Sequence, residues 1–264
     1  MHIPRRTHRR RLWTALIIPF AALASIAAQA AVVLDNTRVV FDASKRESSM
    51  IVNNPTRRAY AIQTWVNDAT DDDTRLAPFI ATPPLFRLDS RKAQTVRIIS
   101  TATDALPKDR ESLFYFNVQE IPTANDTPEN VLKVALRTRV KLLYRPPGLG
   151  NANDSGERLR WTLERQDGKH ALRVHNPSPF HVSFIGIKAI AFDHSEEVAA
   201  PLMVEPFSNR LYALDSAAVR PLSVVFSIIN DYGGYSTPIQ FHLPVDSDGS
   251  PRSLPVSAGT HGQP

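Results

Sequence analysis

Residues 106–122 read LPKDRESLFYFNVQEIP, and this stretch decides the fold. A proline turn and a charged triplet, Asp109-Arg110-Glu111, stand directly before an apolar run that covers residues 113–121. Generic strands alternate apolar and polar residues over about four to eight positions and carry no fixed charged preface. The apolar run is therefore predicted to be a β-strand, and the triplet is a candidate for a specific structural role.

Short apolar runs broken by turn residues continue on both sides of this stretch. β-branched and aromatic residues dominate them, which predicts strands, and Asn54-Pro55 and Pro83-Pro84 mark breaks between them. Strands at this spacing are typical of an immunoglobulin-like sandwich. The Cys–Trp–Cys hallmark of antibody domains is missing, although Trp65 lies in a predicted strand. The predicted strands of this half cover residues 32–41, 48–53, 60–68, 94–99, 113–121 and 131–144.

A second set of strands follows a linker at residues 145–151, RPPGLGN. Two prolines and two glycines there favour a domain boundary. The fold class is therefore predicted to be all-β, with two immunoglobulin-like β-sandwich domains at residues 31–146 and 147–245 and a flexible tail at 246–264. The predicted strands of the second half cover residues 159–165, 169–176, 181–192, 222–229 and 238–243, with a tight turn at Tyr232-Gly233-Gly234.

The first thirty residues have the layout of a secretory signal peptide. Five arginines precede an uncharged, mostly apolar run at 12–28, and Ala28-Gln29-Ala30 is a small-x-small cleavage site. We expect cleavage after Ala30 and no membrane insertion afterwards. An uncleaved anchor is the alternative, because the apolar run is close to the lower length limit of a spanning helix.

Removal of that segment changes the charge balance of the chain. The five excess positive charges lie in it, so the mature chain has 26 basic and 26 acidic residues. Neutrality gives no reason to expect a nucleic-acid partner. An exported chain without cysteine has no disulfides, and its stability must come from hydrophobic cores. Thiol catalysis and cysteine metal sites are excluded.

The stretch at 106–122 resembles the signature of the periplasmic pilus chaperones, which hold fimbrial subunits for delivery to an outer-membrane usher. Other stretches are similar to the same family in the same order: 37–40 (TRVV), 83–88 (PPLFRL), 96–99 (VRII), 135–146 (ALRTRVKLLYRP), Asn176-Pro177 and 229–234 (INDYGG). The resemblance implies a boomerang of two sandwiches with a cleft between them, partners that are pilus subunits and the usher, and no cofactor. The short loop at 123–130 indicates the short-loop class of the family.

The predicted strand at 131–144 alternates apolar and charged residues. The ordinary interpretation is one face on its own core and the other in water. The resemblance implies instead that Leu132, Val134 and Leu136 form a donor strand that completes a pilin by β-strand addition, the mode known as donor-strand complementation. An exposed donor strand is an aggregation hazard, so a second copy is an expected cap for it.

Two sets of charged residues are further site candidates. The resemblance implies that Arg38 and Lys141 bind the terminal carboxylate of the subunit, which suits a planar guanidinium and a compact ammonium. It also implies that Glu111, Arg145 and Asp231 form an ionic network between the domains. The alternative for all of them is solvated surface charge, where an ion pair contributes about 0–1 kcal/mol.

Two other function classes remain open at this point. An enzyme is disfavoured because the six histidines after the leader show no metal-ligand spacing and no nucleophile elbow or P-loop occurs. A secreted β-sandwich adhesin or structural pilus subunit would lack its own final strand. This chain has a predicted last strand at 131–144 and a second domain after it, which favours the chaperone.

Overall fold

A computed structural model describes residues 32–71, 76–122, 135–166, 169–191, 194–198, 200–215 and 223–243. The predicted leader at 1–30 and tail at 246–264 lie outside these ranges. The strands of the first sandwich are β1 (Val33–Leu34), β2 (Arg38–Asp42), β3 (Glu47–Asn53), β4 (Tyr60–Asn67), β5 (Phe79–Thr82), β6 (Leu85–Leu88), β7 (Ala93–Ser100), β8 (Ser112–Pro122) and β9 (Arg137–Arg145).

Two sheets face each other in the first sandwich. One has the order β1-β3-β7-β5 and the other β2-β9-β8-β4-β6. Alternation along each strand directs one set of side chains inward, as with Val96 and Ile98 of β7, which are fully buried. Opposite them lie Phe116 of β8 and Leu142 of β9. Each such side chain contributes about 1.5–3 kcal/mol on burial. In this cysteine-free chain, the hydrophobic core therefore supplies the stability that disulfides would otherwise add.

The second sandwich is built in the same way. Its elements are α1 (Ser155–Arg158), β10 (Arg160–Gln166), β11 (Lys169–Asn176), β12 (Phe184–Ala191), β13 (His194–Glu197), β14 (Ser208–Ala213), β15 (Ser223–Ile228) and β16 (Ile239–His242). The sheets have the orders β10-β11-β14 and β13-β12-β15-β16. Trp161 is buried between them, with its ring centroid 5.2 Å from Phe226 and 5.9 Å from Phe184. In the described ranges, no helix is long and apolar enough to cross a membrane.

A buried asparagine closes a turn in each sandwich. Asn54, next to the end of β3, donates through its amide to the carbonyls of Arg58 and Asp89, at 2.7 and 3.0 Å. Asn176, the last residue of β11, donates to the carbonyl of Phe180 at 2.7 Å and accepts from the Ser178 amide. Each asparagine precedes a proline and a hydroxyl residue, so the two halves share a device that fixes the loop after one strand.

The two-sandwich, all-β fold is confirmed, but the predicted strand at 32–41 is wrong. The segment divides into β1 and β2, which belong to different sheets. Polar side chains explain the break: the carboxylate of Asp35 accepts from the amide of Ile51 at 2.9 Å, and Asn36 caps the amide of Arg38. Trp65 lies in β4 as predicted, yet it is partly exposed and lies beneath the guanidinium of Arg137.

Several further strand bounds differ from prediction. The strand predicted at 181–192 begins only at Phe184, because Val182 makes a single bridge to Val204. The strands β5, β13 and β14 were not predicted. β13 is polar and exposed along almost its whole length, so it carries no apolar alternation. In the turn predicted at Gly233-Gly234, only Gly233 has a positive φ, of 77°.

Candidate functional site

The site candidates meet where β2 and β9 run side by side. These strands are parallel, and Arg38 is the register partner of Lys141. Alternation sends Val140 and Leu142 of β9 into the core, so Lys141 and Arg145 project from the opposite face, toward the second sandwich. Three cations of the first sandwich are therefore gathered on one surface by the register of two strands.

Arg145 joins the two sandwiches through carboxylates on both sides. Its Nε donates to Oε1 of Glu111 at 2.8 Å, and its two terminal nitrogens donate to both oxygens of Asp231, at 2.6 and 2.8 Å. Burial alone would lower the pKa of Arg145, but the hydrogen bonds and charges of Asp231 and Glu111 raise it. Bidentate, charge-assisted bonds of this kind are among the strongest in proteins.

Glu111, the last residue of the charged triplet, also contacts the second sandwich directly. Its side chain is only 1% exposed, and its second oxygen accepts from the backbone amide of His181 at 2.8 Å. The ring Nδ1 of His181 lies 3.2 Å from the same oxygen, and the amide of Glu111 donates to the carbonyl of Pro179. The triplet therefore ends in an interdomain contact, to a loop that Asn176 holds in place.

Arg38 is the more deeply buried of the two candidate carboxylate ligands. Its exposed fraction is 5%, and its Nη1 donates to the carbonyl of Ile229 at 3.1 Å. Its Nε is buried and has no hydrogen-bond partner among the described residues. Burial lowers the pKa of Arg38, while Asp231 and Glu111 oppose that shift. A buried donor without a partner is unfavourable, so an acceptor that reached Arg38 would stabilise it.

Lys141 reaches across the same interface. Its Nζ donates to Oγ of Ser183 at 2.8 Å. Burial, with a smaller contribution from the positive charge of Arg38, lowers the pKa of Lys141 to about 8. Within the described part of the chain no carboxylate lies within salt-bridge distance of it. An arriving carboxylate would relieve both the burial of this charge and its repulsion from Arg38.

The charges of this cluster do not cancel. Arg38, Lys141 and Arg145 are cations, and Glu111 and Asp231 are the carboxylates that face them. One net positive charge remains in this group of five. Arg38, Arg145 and Asp231 also line an interdomain cavity of about 370 Å³, together with the carboxylate of Glu157, whereas Lys141 lies beside the cavity. One further carboxylate would neutralise the cluster, which is the chemistry that the arrangement can perform.

A glycine turn packs the second sandwich against the start of β2. A Cβ at Gly233 would lie 2.5 Å from Oγ1 of Thr37 and 3.0 Å from Oδ1 of Asn36. The neighbouring Tyr232 is 85% exposed at the rim of the cavity. Only glycine permits this approach, so the turn that carries Asp231 is fixed relative to Arg38.

The predicted donor residues are only partly within the described ranges. Leu132 and Val134 lie outside them, and Leu136 stands one residue before β9 with 49% of its surface exposed. Leu136 shares the strand face of Val140 and Leu142, which are buried in the core of the same sandwich. Its carbonyl accepts from the amide of Glu120, so the ladder to β8 extends this far.

One edge of β9 is open near its start. In the described ranges β2 pairs only with residues 141–145, while β8 pairs with β9 from Arg137 onward. Alternate residues of an antiparallel strand turn their main-chain groups to opposite sides. Because Leu136 bonds to β8, the main-chain groups of Arg137 and Arg139 point toward the open edge.

Sequence reasoning missed two members of the site, Ser183 and His181. Both lie in the loop and bridge between Asn176 and β12, and they contact partners 42 and 70 residues away. No local pattern marks either residue, because folding alone brings them to Lys141 and Glu111. Among the described residues no group of acidic, histidine or cysteine side chains could hold a metal ion.

The fold and the ionic cluster between the domains place the chain among two-domain β-sandwich proteins. Comparison with known sequences identifies the family within that class. Residues 31–150 match the family described as "Pili and flagellar-assembly chaperone, PapD N-terminal domain", and residues 154–240 match "Pili assembly chaperone PapD, C-terminal domain". The chain belongs to this family of pilus assembly chaperones.

Individual relatives match at least four fifths of this chain. The chaperone protein LpfB of Salmonella typhimurium is 36% identical over 230 residues, covering 86% of this chain and 95% of its own length. The crystal structure of the YadV chaperone superposes with a TM-score of 0.71 and 33% identity, covering 81% of this chain and 100% of that one. The Salmonella enterica SafB chaperone, solved in complex with the SafA pilin, gives a TM-score of 0.70 and 27% identity, covering 80% and 96%.

Proposed function

We propose that this protein holds pilus subunits in the periplasm by donor-strand complementation and delivers them to an outer-membrane usher. One observation carries the proposal: β9 has an open edge at its start, and midway along it Lys141 is a partly buried cation with no carboxylate at salt-bridge distance among the described residues. A strand with this layout can hold an extended partner along its length and fix the partner's terminus at Lys141.

The open edge supplies the pairing that a subunit without its last strand requires. Main-chain groups of Arg137 and Arg139 are directed toward the open edge, and an added strand would bond to them. Leu132, Val134 and Leu136 are proposed to enter the groove of the subunit. Each buried apolar side chain would contribute about 1.5–3 kcal/mol before association costs are subtracted.

The two cations, Arg38 and Lys141, are proposed to set the register of that pairing. Arg38 and Lys141 are proposed to bind the terminal carboxylate of the subunit, since each is a partly buried donor without an ionic partner at hydrogen-bond distance in the described ranges. A slip of one residue would turn every donor side chain to the wrong face. A fixed terminus prevents such a slip, so specificity and affinity depend on the same two cations.

The network of Arg145 with Glu111 and Asp231 is proposed to fix the angle of the cleft. All three side chains are mostly buried, so their bonds are screened less than surface ion pairs. Support for the periplasm comes from the leader-like residues 1–30. The relative solved with a pilin supports a subunit partner. A second copy is proposed to cover the open edge when no subunit is bound.

Native mass spectrometry of the protein purified from the periplasm of pilus-producing cells tests the proposal. We expect a one-to-one complex with a small secreted subunit, and its loss in the double variant Arg38→Ala Lys141→Ala. The matched control is Lys45→Ala Arg46→Ala, which removes two exposed cations from the same sandwich and should retain the complex.

Three results separate the parts of the proposal. A complex that survives Arg38→Ala Lys141→Ala would keep the subunit-binding function and remove the carboxylate site. Free protein alone, with subunits present in the same extract, would favour an adhesin or another β-sandwich binder. A homodimer that disappears when subunit is added would support capping by a second copy.

A further inference from the structure

We infer that Ser183 is a third binding residue of the carboxylate site, contributed by the second sandwich, where its hydroxyl group positions the Lys141 ammonium and donates to the bound carboxylate. The inference deepens the proposed function and rests on it, because it names a residue that recognises the same subunit terminus. Nothing in the sequence pattern around Ser183 indicates this role.

The geometry places two donors opposite two acceptors across the interface. Arg38 and Lys141 are register partners in the first sandwich, and they donate to the Ile229 carbonyl and the Ser183 hydroxyl of the second, at 3.1 and 2.8 Å. These acceptors are themselves neighbours, because the amide of Ile229 donates to the carbonyl of Ser183 at 2.9 Å. The main chain of Ser183 is therefore fixed to that of Ile229, which Arg38 contacts, while the Ser183 hydroxyl contacts Lys141.

The hydroxyl of Ser183 has hydrogen-bonding capacity left over. It accepts from Lys141, and among the described residues it donates to no acceptor. The residue is only 4% exposed, so a bound acceptor would use a donor that the hydroxyl otherwise leaves without a partner in the described ranges. A carboxylate that bridges Arg38 and Lys141 is an acceptor of the required kind at the required place. Ser183 would then bond to the ammonium and to the carboxylate at once.

A role through the carboxylate differs from a structural role in one measurable way. If Ser183 only supports the fold, its loss would weaken a subunit peptide with a free C-terminus and the same peptide with an amidated C-terminus equally. If it binds the carboxylate, only the free-acid peptide would lose affinity. The loss of an acceptor for Lys141 would also move the decline of affinity with pH to lower pH, because the ammonium would give up its proton more readily.

The experiment measures the binding of both peptides by isothermal titration, with the C-terminal segment of the co-purifying subunit as the probe. We expect Ser183→Ala to weaken the free-acid peptide about tenfold and to leave the amidated peptide unchanged. Ser183→Thr keeps the hydroxyl and should restore the affinity. Ser208→Ala is the matched control, because it removes a hydroxyl from β14 whose one partner in the described part of the chain is the carbonyl of Glu205.

Lys141→Met, measured with the same two peptides, separates the inference from the proposed function. If Lys141→Met abolishes the preference for the free acid while Ser183→Ala and wild type behave alike, the role of Ser183 is wrong and the carboxylate site stands. If wild type itself shows no preference between the peptides, the carboxylate site is wrong. Equal losses for both peptides in a Ser183→Ala variant with normal thermal unfolding would overturn the inference as well.

Discussion

Glu111 and Arg145 both belong to the first sandwich, yet the ion pair between them is completed by the second. One oxygen of Glu111 bonds to Arg145 at 2.8 Å, and its other oxygen takes the amide of His181. Arg145 in turn takes both oxygens of Asp231. Both members of this ion pair therefore also bond to the second sandwich, and the pair links the two domains. The charge of each member is balanced in part by the other.

Loss of Arg145 should destabilise the interface strongly. Arg145→Met leaves Glu111, which is 1% exposed, and Asp231 without the cation to which both are hydrogen-bonded, and among the described residues only the charge of Arg38 remains near them. Removal of one partner from a buried pair costs about 3–5 kcal/mol. Urea unfolding measures the cost, and solution scattering measures the spread of interdomain angles, which should widen.

Arg87→Met is the control for this loss. Arg87 forms an exposed pair with Asp89, so its replacement should change the free energy of unfolding by less than about 1 kcal/mol. Equal effects of the two variants, or a scattering curve unchanged by Arg145→Met, would contradict this link between the domains.

Lys141 should lower the free energy of unfolding at neutral pH, because its charged form is partly buried. Its pKa is about 8 in the folded chain against 10.5 for the free side chain. Between these values the unfolded chain binds more protons, so the free energy of unfolding rises with pH. We expect Lys141→Met to be more stable than wild type by about 1–2 kcal/mol at pH 7, after allowance for solvent screening. The advantage should shrink from about pH 8 to about pH 10.5. A constant difference over this window would show that the charge of Lys141 is not the cause.

Subunit binding should weaken as the pH rises through about 8. The carboxylate binds the ammonium form of Lys141, so binding takes up protons near its pKa of about 8. Titration calorimetry in buffers of different ionisation enthalpy measures this uptake. In Lys141→Arg the cation stays charged at every accessible pH, and the decline should vanish. A decline that persists in Lys141→Arg would assign it to another group.

The strands that could be predicted are those whose side chains alternate between core and solvent. β7, with Val96 and Ile98 inward, is an example, and its predicted bounds differ from the observed ones by one residue. The break between β1 and β2 was missed because apolar residues continue on both sides of it. Asn36 bonds locally to the amide of Arg38, whereas the bond of Asp35 to the amide of Ile51 exists only because β3 lies nearby.

The site could be predicted only where a motif carries it. Glu111, Arg145 and Asp231 lie in stretches that resemble a known family, and the structure brings them into one network. Ser183 and His181 lie in no such motif. Their partners are distant in sequence, and a single serine or histidine gives no periodic signal.

Leu136 offers a test of the donor strand that leaves the fold intact. Its side chain is 49% exposed, so Leu136→Asp should lower the free energy of unfolding by only about 1 kcal/mol. If it enters a groove of the subunit, the buried charge should weaken the complex at least about tenfold. Leu202→Asp, at an exposed position of the second sandwich, is the control and should bind normally. Normal binding by both variants would exclude Leu136 from the subunit contact.

Gly233 should tolerate alanine less well than Gly148 does. Alanine there meets two costs, a positive φ of 77° and a Cβ placed 2.5 Å from Oγ1 of Thr37. Gly148 has a φ of 87° and open space around its Cβ, so Gly148→Ala pays only the backbone cost, about 1 kcal/mol. We expect Gly233→Ala to cost about 2–4 kcal/mol in chemical unfolding, since overpacking adds to the backbone strain. Thr37→Ala removes the clashing oxygen and should recover part of the excess in the double variant. If Gly233→Ala and Gly148→Ala lower the free energy of unfolding equally, the turn is not in tight contact with Thr37. The bonds to Arg145 would then position Asp231.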